Sequence, residues 1–137
     1  MYLFGYTNEP LTSNGGENVA DIYSLDTFTE AYIECALWSS TDDDGKPLDD
    51  NYGIEDLSPE CLAEAAADCK AFQQDNASDL AQAGTAERCG HDFWLTRNGH
   101  GAGFWDRCLG EVGERLTKAS KAYGSVDLYA GDDGLIY

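Results

Sequence analysis

Twenty-six acidic residues against eight basic ones leave this chain with a formal net charge of -18 over 137 residues. Self-repulsion on that scale usually keeps a polypeptide extended, because like charges swell the chain and little apolar area remains to offset the entropy of ordering it. Here the apolar side is not depleted. The chain is 42% hydrophobic and carries 3 Trp, 8 Tyr and 5 Phe, enough for one core at single-domain length. A single folded domain over residues 1–137 is therefore expected, with a strongly anionic surface that calls for a physical explanation.

The acid is concentrated rather than spread. By simple count, residues 1–25 sum to -3, residues 26–60 to -10, residues 61–90 to -3 and residues 91–137 to -2. Within the densest stretch, Asp42-Asp43-Asp44-Gly45 and Asp49-Asp50 fall in a polar loop over residues 40–57, and Glu55, Asp56 and Glu60 lead out of it. Five cysteines, odd in number and without a CxxC pair, argue against a secreted disulfide framework and for a reducing compartment. The N-terminus has neither a basic flank nor a continuous apolar run, and no stretch approaches membrane-spanning length. These features predict a soluble, cytosolic protein, one that an anionic membrane or nucleic acid itself would repel.

Residues 1–25 are rich in Gly, Asn and aromatic residues and read as an N-terminal extension or edge strand, with a short strand at residues 2–6 and turn chemistry at Asn14-Gly15-Gly16. A first helix is expected from Thr27, where Thr27 and Glu30 match the S/T-x-x-E capping box and Ala31, Tyr32, Cys35 and Trp38 share a face. Ser58-Pro59 signals a second helix, with an N-cap followed by proline at the first helical position. At about 100° per residue, Glu60, Glu64, Asp68, Asp75 and Asp79 fall on one arc, while Leu62, Ala65, Ala66, Cys69, Phe72, Leu80 and Ala83 fall opposite. Lys70 is the only cation that could balance this row. Ordinary solvated faces mix signs, because opposite charges four apart stabilise a helix and like charges destabilise it.

The C-terminal third reads as strand, helix, strand. Residues 91–96 (His-Asp-Phe-Trp-Leu-Thr) suggest a short strand, and a third helix is expected over residues 105–123 with Leu109, Val112, Leu116, Ala119 and Tyr123 at core spacing and Gly124 as cap. Residues 125–130 alternate, and Asp132-Asp133-Gly134 turns into Leu135-Ile136-Tyr137 as a hairpin signal. The fold class these patterns predict is α+β: about three helices packed on a small antiparallel sheet with a C-terminal β-hairpin.

Three segments carry a resemblance. Residues 91–107 (His-Asp-Phe-Trp-Leu-Thr-Arg-Asn-Gly-His-Gly-Ala-Gly-Phe-Trp-Asp-Arg), residues 127–134 (Asp-Leu-Tyr-Ala-Gly-Asp-Asp-Gly) and residues 28–39 (Phe-Thr-Glu-Ala-Tyr-Ile-Glu-Cys-Ala-Leu-Trp-Ser) resemble a family of small uncharacterised acidic proteins of bacteriophages and mobile elements. The resemblance covers residues 27–137. It implies a phage setting, and with it the host bacterial cytoplasm as the place of action, and brings no catalytic residue with it.

Other chemistries fit less well. His91, Asp92, Arg97, His100 and Asp106 lie close in sequence beside a glycine-punctuated loop, yet residues 99–103 match neither the Walker pattern nor the dinucleotide fingerprint. Cys89, His91, His100 and Cys108 lack zinc-type spacing. With Gly45 at the sixth position of an EF-hand loop, Asn51 stands where a bidentate glutamate is required. No cofactor and no metal are expected. The run over residues 91–107 reads instead as scaffold, with Phe93, Trp94, Phe104 and Trp105 in the core and Arg97, Arg107 and Arg115 paired with acids.

The leading functional expectation is an acidic DNA mimic. Asp42, Asp43, Asp44, Asp49, Asp50, Glu55, Asp56, Glu60, Glu64, Asp68, Asp75 and Asp79 would form one anionic surface that occupies the basic DNA-binding groove of a host protein or ribonucleoprotein effector, in the manner of an anti-CRISPR or anti-restriction inhibitor. Such a protein is not an enzyme and does not bind nucleic acid directly. The alternatives are a small enzyme or phosphate-ligand-binding domain built on residues 91–107, and a phage accessory protein with a generic acidic surface.

Overall fold

The computed structural model describes residues 24–137, in which five α-helices and three short 3-10 turns build the fold. The expectations for residues 2–6 and 14–16, and for an N-terminal extension or edge strand, lie outside the described residues. Helix α1 (Thr27–Ser39) is the axis of the molecule, with Phe28, Ala31, Tyr32, Ile33, Cys35, Ala36 and Leu37 all buried. A helix apolar on nearly every side must be surrounded by others. Its cap is Asp26 rather than the Thr27–Glu30 box, since the Thr29 N–H donates to Asp26 Oδ1 at 2.9 Å.

Helix α2 (Pro59–Asp75) begins as its sequence predicts, with Ser58 Oγ accepting from the Cys61 N–H at 3.1 Å and Pro59 at the first position. The single helix expected to reach residue 83 is broken at Asn76. That side chain donates to the Phe72 carbonyl at 2.9 Å, a local bond that competes with helix continuation, and a separate α3 (Ala77–Ala83) follows.

The α+β expectation is overturned in the C-terminal third. Residues 91–96 are not a strand but belong to α4 (Ala86–Arg97), capped by Thr85 Oγ1 accepting from the Arg88 N–H. Cys89, Phe93, Thr96 and Arg97 are buried together with Gly90 and Trp94, a helical spacing that packing against α1 enforces over the β-propensity of Phe93, Trp94 and Thr96. Gly90 is the seam. A Cβ there would strike the Phe28 carbonyl oxygen, so only glycine lets the two helices approach this closely.

Residues 105–110 are not helical: a 3-10 turn (Phe104–Asp106) precedes Gly110, and α5 (Glu111–Lys121) starts later than its periodicity suggests. No sheet forms among the described residues, where only isolated bridges join Thr41 to Pro47, Leu57 to Ile136 and Ala130 to Ile136. The expected hairpin reduces to a turn in which Tyr129 and Tyr137 exchange backbone hydrogen bonds of 3.0 and 2.9 Å. Before Tyr129 the first arm turns to the end of α4, where the Val126 N–H donates to Asn98 Oδ1 at 2.8 Å. Ile136 is fully buried and tied to the start of α2 through Asp56 O and the Ser58 N–H, both at 2.8 Å.

The core is aromatic. Phe72 stacks on Phe93 with centroids 4.0 Å apart, Tyr32 meets Trp94 edge-on at 5.4 Å, and Phe28, Phe104 and Tyr123 close the cluster. Burial of each such ring contributes about 1.5–3 kcal/mol. Trp105, expected in this core, is 53% exposed, and Trp38, expected on one face of α1 with the buried Ala31, Tyr32 and Cys35, is 62% exposed.

Candidate anionic docking surface

The four arginines of the chain explain which carboxylates remain open. Arg97 is buried and spends its guanidinium on four acceptors: Asp68 Oδ2 at 2.9 Å, the Tyr32 hydroxyl at 3.0 Å, and the carbonyls of Gly124 and Tyr123 at 2.8 and 3.0 Å. It also stands over the Phe93 and Tyr123 rings at 5.6 and 5.5 Å. Burial opposes its charge, but the hydrogen bonds to Asp68 and Tyr32 outweigh that and hold its pKa above the ordinary value. Arg107 makes a two-pronged pair with the buried Asp92 at 3.1 and 2.9 Å, and Arg115 makes one with Asp79 at 2.9 and 2.8 Å. The Arg115 hydrogen bond holds the Asp79 carboxyl below its ordinary value.

Two of the twelve predicted surface carboxylates, Asp68 and Asp79, are thus neutralised internally. The other ten make no ion pair among the described residues. Of these, Asp42 and Asp56 have structural duties: Asp42 Oδ1 accepts from the N–H groups of Asp44 and Lys46, tightening the turn that ends at Gly45 with φ +81°, and Asp56 Oδ2 accepts from the Gly53 N–H. Asp43, Asp44, Asp49, Asp50, Glu55, Glu60, Glu64 and Asp75 are exposed.

The open carboxylates do not form one continuous arc. Asp49 and Glu55 line a cleft of about 540 Å³ with Glu34, Trp38, Tyr52 and His91. Glu60 and Glu64 line another, of about 250 Å³, with Ile33, Ala36 and Asp127. At 100° per residue, Glu34 and Trp38 lie roughly 100–160° around α1 from Ile33 and Ala36, so the clefts open on different sides of that helix. Asp75 is some 22 Å along the axis from Glu60, at 1.5 Å rise per residue. Asp79 is turned onto α5.

Sequence reasoning missed Glu34 and Asp127 as members of these clefts, and missed the exposed Tyr129, 60% accessible. Their signals were weak: Glu34 sits in the apolar-rich stretch before the Asp42–Glu60 acids, and Asp127 stands alone among apolar neighbours. Helical spacing places Trp38 on the face of Ala31, Tyr32 and Cys35, and spacing alone cannot tell a buried flank from a cleft wall.

The residues considered for other chemistry are dispersed. His91 lies in the larger cleft, whereas His100 is exposed in the turn after α4 and its N–H donates to Leu95 O at 3.0 Å. Asp92 and Arg97 are committed to the pairs above. Among the described residues no three His, Cys, Asp or Glu converge as a metal-binding group, and no helix is long and apolar enough to cross a membrane. Burial pushes the thiols of Cys35, Cys61 and Cys89 up to about 12, 11 and 11, so they stay protonated and pack as small apolar groups.

Comparison with protein-family models, with curated proteins and with solved structures finds no match for this chain.

Proposed function

We propose that this protein is a phage-encoded DNA mimic that binds a host nucleic-acid-binding defence complex, of anti-CRISPR or anti-restriction type, and inhibits it by occupying its basic groove. The observation that carries this reading is the division of charge: among the described residues three of the four arginines are spent on aspartates inside the fold, and ten carboxylates of the acidic segment and α2 are left without a cation. An unbalanced anionic surface on a folded core is costly through self-repulsion, and a Lys/Arg-lined groove is the environment that relieves it. The phage setting rests on the resemblance described above. The mimicking array is narrower than the sequence suggests, consisting of the acidic segment and the first turns of α2, in two patches on either side of α1.

The test is capture from host lysate at about 0.05 M and about 0.5 M salt, with duplex DNA as competitor. The expected result is a nuclease or surveillance complex retained at low salt and displaced by DNA. Capture that DNA never displaces would rule out groove occupancy.

A further inference from the structure

Resting on the reading that the partner is basic, we propose that the smaller cleft is a socket for one arginine side chain of that partner. The cleft, about 250 Å³, lies between α1, the first turns of α2, residues 126–129 and Tyr137. Its floor is apolar, supplied by Ile33, Ala36, Ala65 and Leu128. Three carboxylates line it, Glu60, Glu64 and Asp127, and none makes a hydrogen bond or ion pair among the described residues. The fourth, Asp68, is already held by Arg97. Tyr129, exposed and stacked on Tyr137 with centroids 5.8 Å apart, offers a ring face at the mouth.

An apolar floor beneath unpaired carboxylates and an aromatic face selects a ligand with a hydrocarbon stem and a planar cationic head. Arginine has both, and its fork can engage two carboxylates at once while the guanidinium stacks on a ring, which a lysine ammonium cannot do. A bare metal ion gains nothing from the floor, and an anionic ligand is repelled. Residues 1–23 of the chain contain three acidic residues and no basic one, so they do not complement the site.

The full-length protein is titrated with a hexa-arginine peptide, and with its citrulline counterpart, by calorimetry and amide NMR at about 0.05 M salt. Two triple variants with equal charge change are compared: Glu60→Gln/Glu64→Gln/Asp127→Asn at the cleft and Asp43→Asn/Asp49→Asn/Glu55→Gln elsewhere. Loss of charge-assisted contacts at the cleft is expected to weaken arginine binding at least about tenfold, against about twofold for the other triple. Ala65→Leu, which fills the floor without altering charge, is expected to weaken it about fivefold. Citrulline is expected not to bind.

Equal losses in the two triples, no effect of Ala65→Leu, or binding of the citrulline peptide would each overturn the socket. So would amide shifts of residues 1–23 on Ala65→Leu in the free protein, which would give the cleft to the chain's own N-terminal segment. The two readings separate cleanly. If the cleft triple is captured by a DNA-displaceable host complex as well as the native chain, the socket falls and groove occupancy stands. If the peptide results hold but DNA never competes, groove occupancy falls and the socket stands.

Discussion

The acidic segment with the start of α2, and the half of the molecule from α4 to the C-terminus, treat charge in opposite ways. In the second region three arginines are structural: Arg97, Arg107 and Arg115 each find an aspartate, and Arg97 joins α1, α2, α4 and the end of α5 through one buried guanidinium. In the first, Asp43, Asp44, Asp49, Asp50, Glu55, Glu60 and Glu64 make no ion pair within the described fold. Paired charges hold the helices in place, whereas unpaired ones burden stability and gain only when something outside the fold meets them. The acidity is therefore divided, among the described residues, into a small part spent inside the fold and a larger part left without a cation.

This comparison breaks most decisively at Arg97. Arg97→Ala leaves Asp68, the Tyr32 hydroxyl and two carbonyls without their donor, and is expected to cost about 3–5 kcal/mol in urea unfolding. Arg97→Lys keeps the charge but loses the fork, and should recover only part of that. A cost below 1 kcal/mol for Arg97→Ala, on the scale of exposed pairs, would show that charge in this half is no more structural than in the other.

The seam between α4 and α1 comes next. Gly90→Ala places a methyl group against the Phe28 carbonyl, and a loss of about 1–3 kcal/mol in thermal or urea unfolding is expected from overpacking. An unchanged midpoint would mean that α1 and α4 part without penalty.

On the acidic side the expectation reverses. Glu60→Gln with Glu64→Gln should leave stability within about 0.5 kcal/mol of the native chain, and on the favourable side, because like charges four apart on a helix repel. Destabilisation by more than about 1 kcal/mol would reassign those carboxylates to the fold and weaken the case for a docking surface.

The smallest effect is expected at low pH. Asp79 has a folded pKa below its ordinary 3.8 because of Arg115. Its contribution is complete above that ordinary value and is lost as pH falls through the lowered one. Unfolding followed from about pH 5 to about pH 2 should therefore fall less steeply in Asp79→Asn than in the native chain. Identical slopes would mean the pair is broken in solution.

Local rules served well where one residue's own chemistry decides the outcome. Ser58 and Pro59 start α2 because an N-cap oxygen and a missing N–H act within a single turn. The burial of Phe93, Trp94 and Phe104 followed from their size and apolarity. The same rules failed where two states compete closely. Residues 91–96 suit a strand by propensity, and contact with α1 made them helix; residues 125–130 alternate, yet only Tyr129 and Ala130 pair, while the Val126 N–H goes to Asn98 at the end of α4.

The candidate site divides along the same line. The excess of acid, its concentration before and along α2, and the pairing of the three arginines with acids could be read from residue order, because charge and periodicity are properties of the chain. Which acids the arginines select could not: Asp68 and Arg97 are 29 residues apart, and Asp79 and Arg115 are 36 apart. Nor could the placing of Asp127 opposite Glu60 and Glu64 across a cleft, or the splitting of the acidic surface by α1. Those depend on how helices pack, since only packing brings distant residues within the few ångströms over which a hydrogen bond or an ion pair acts.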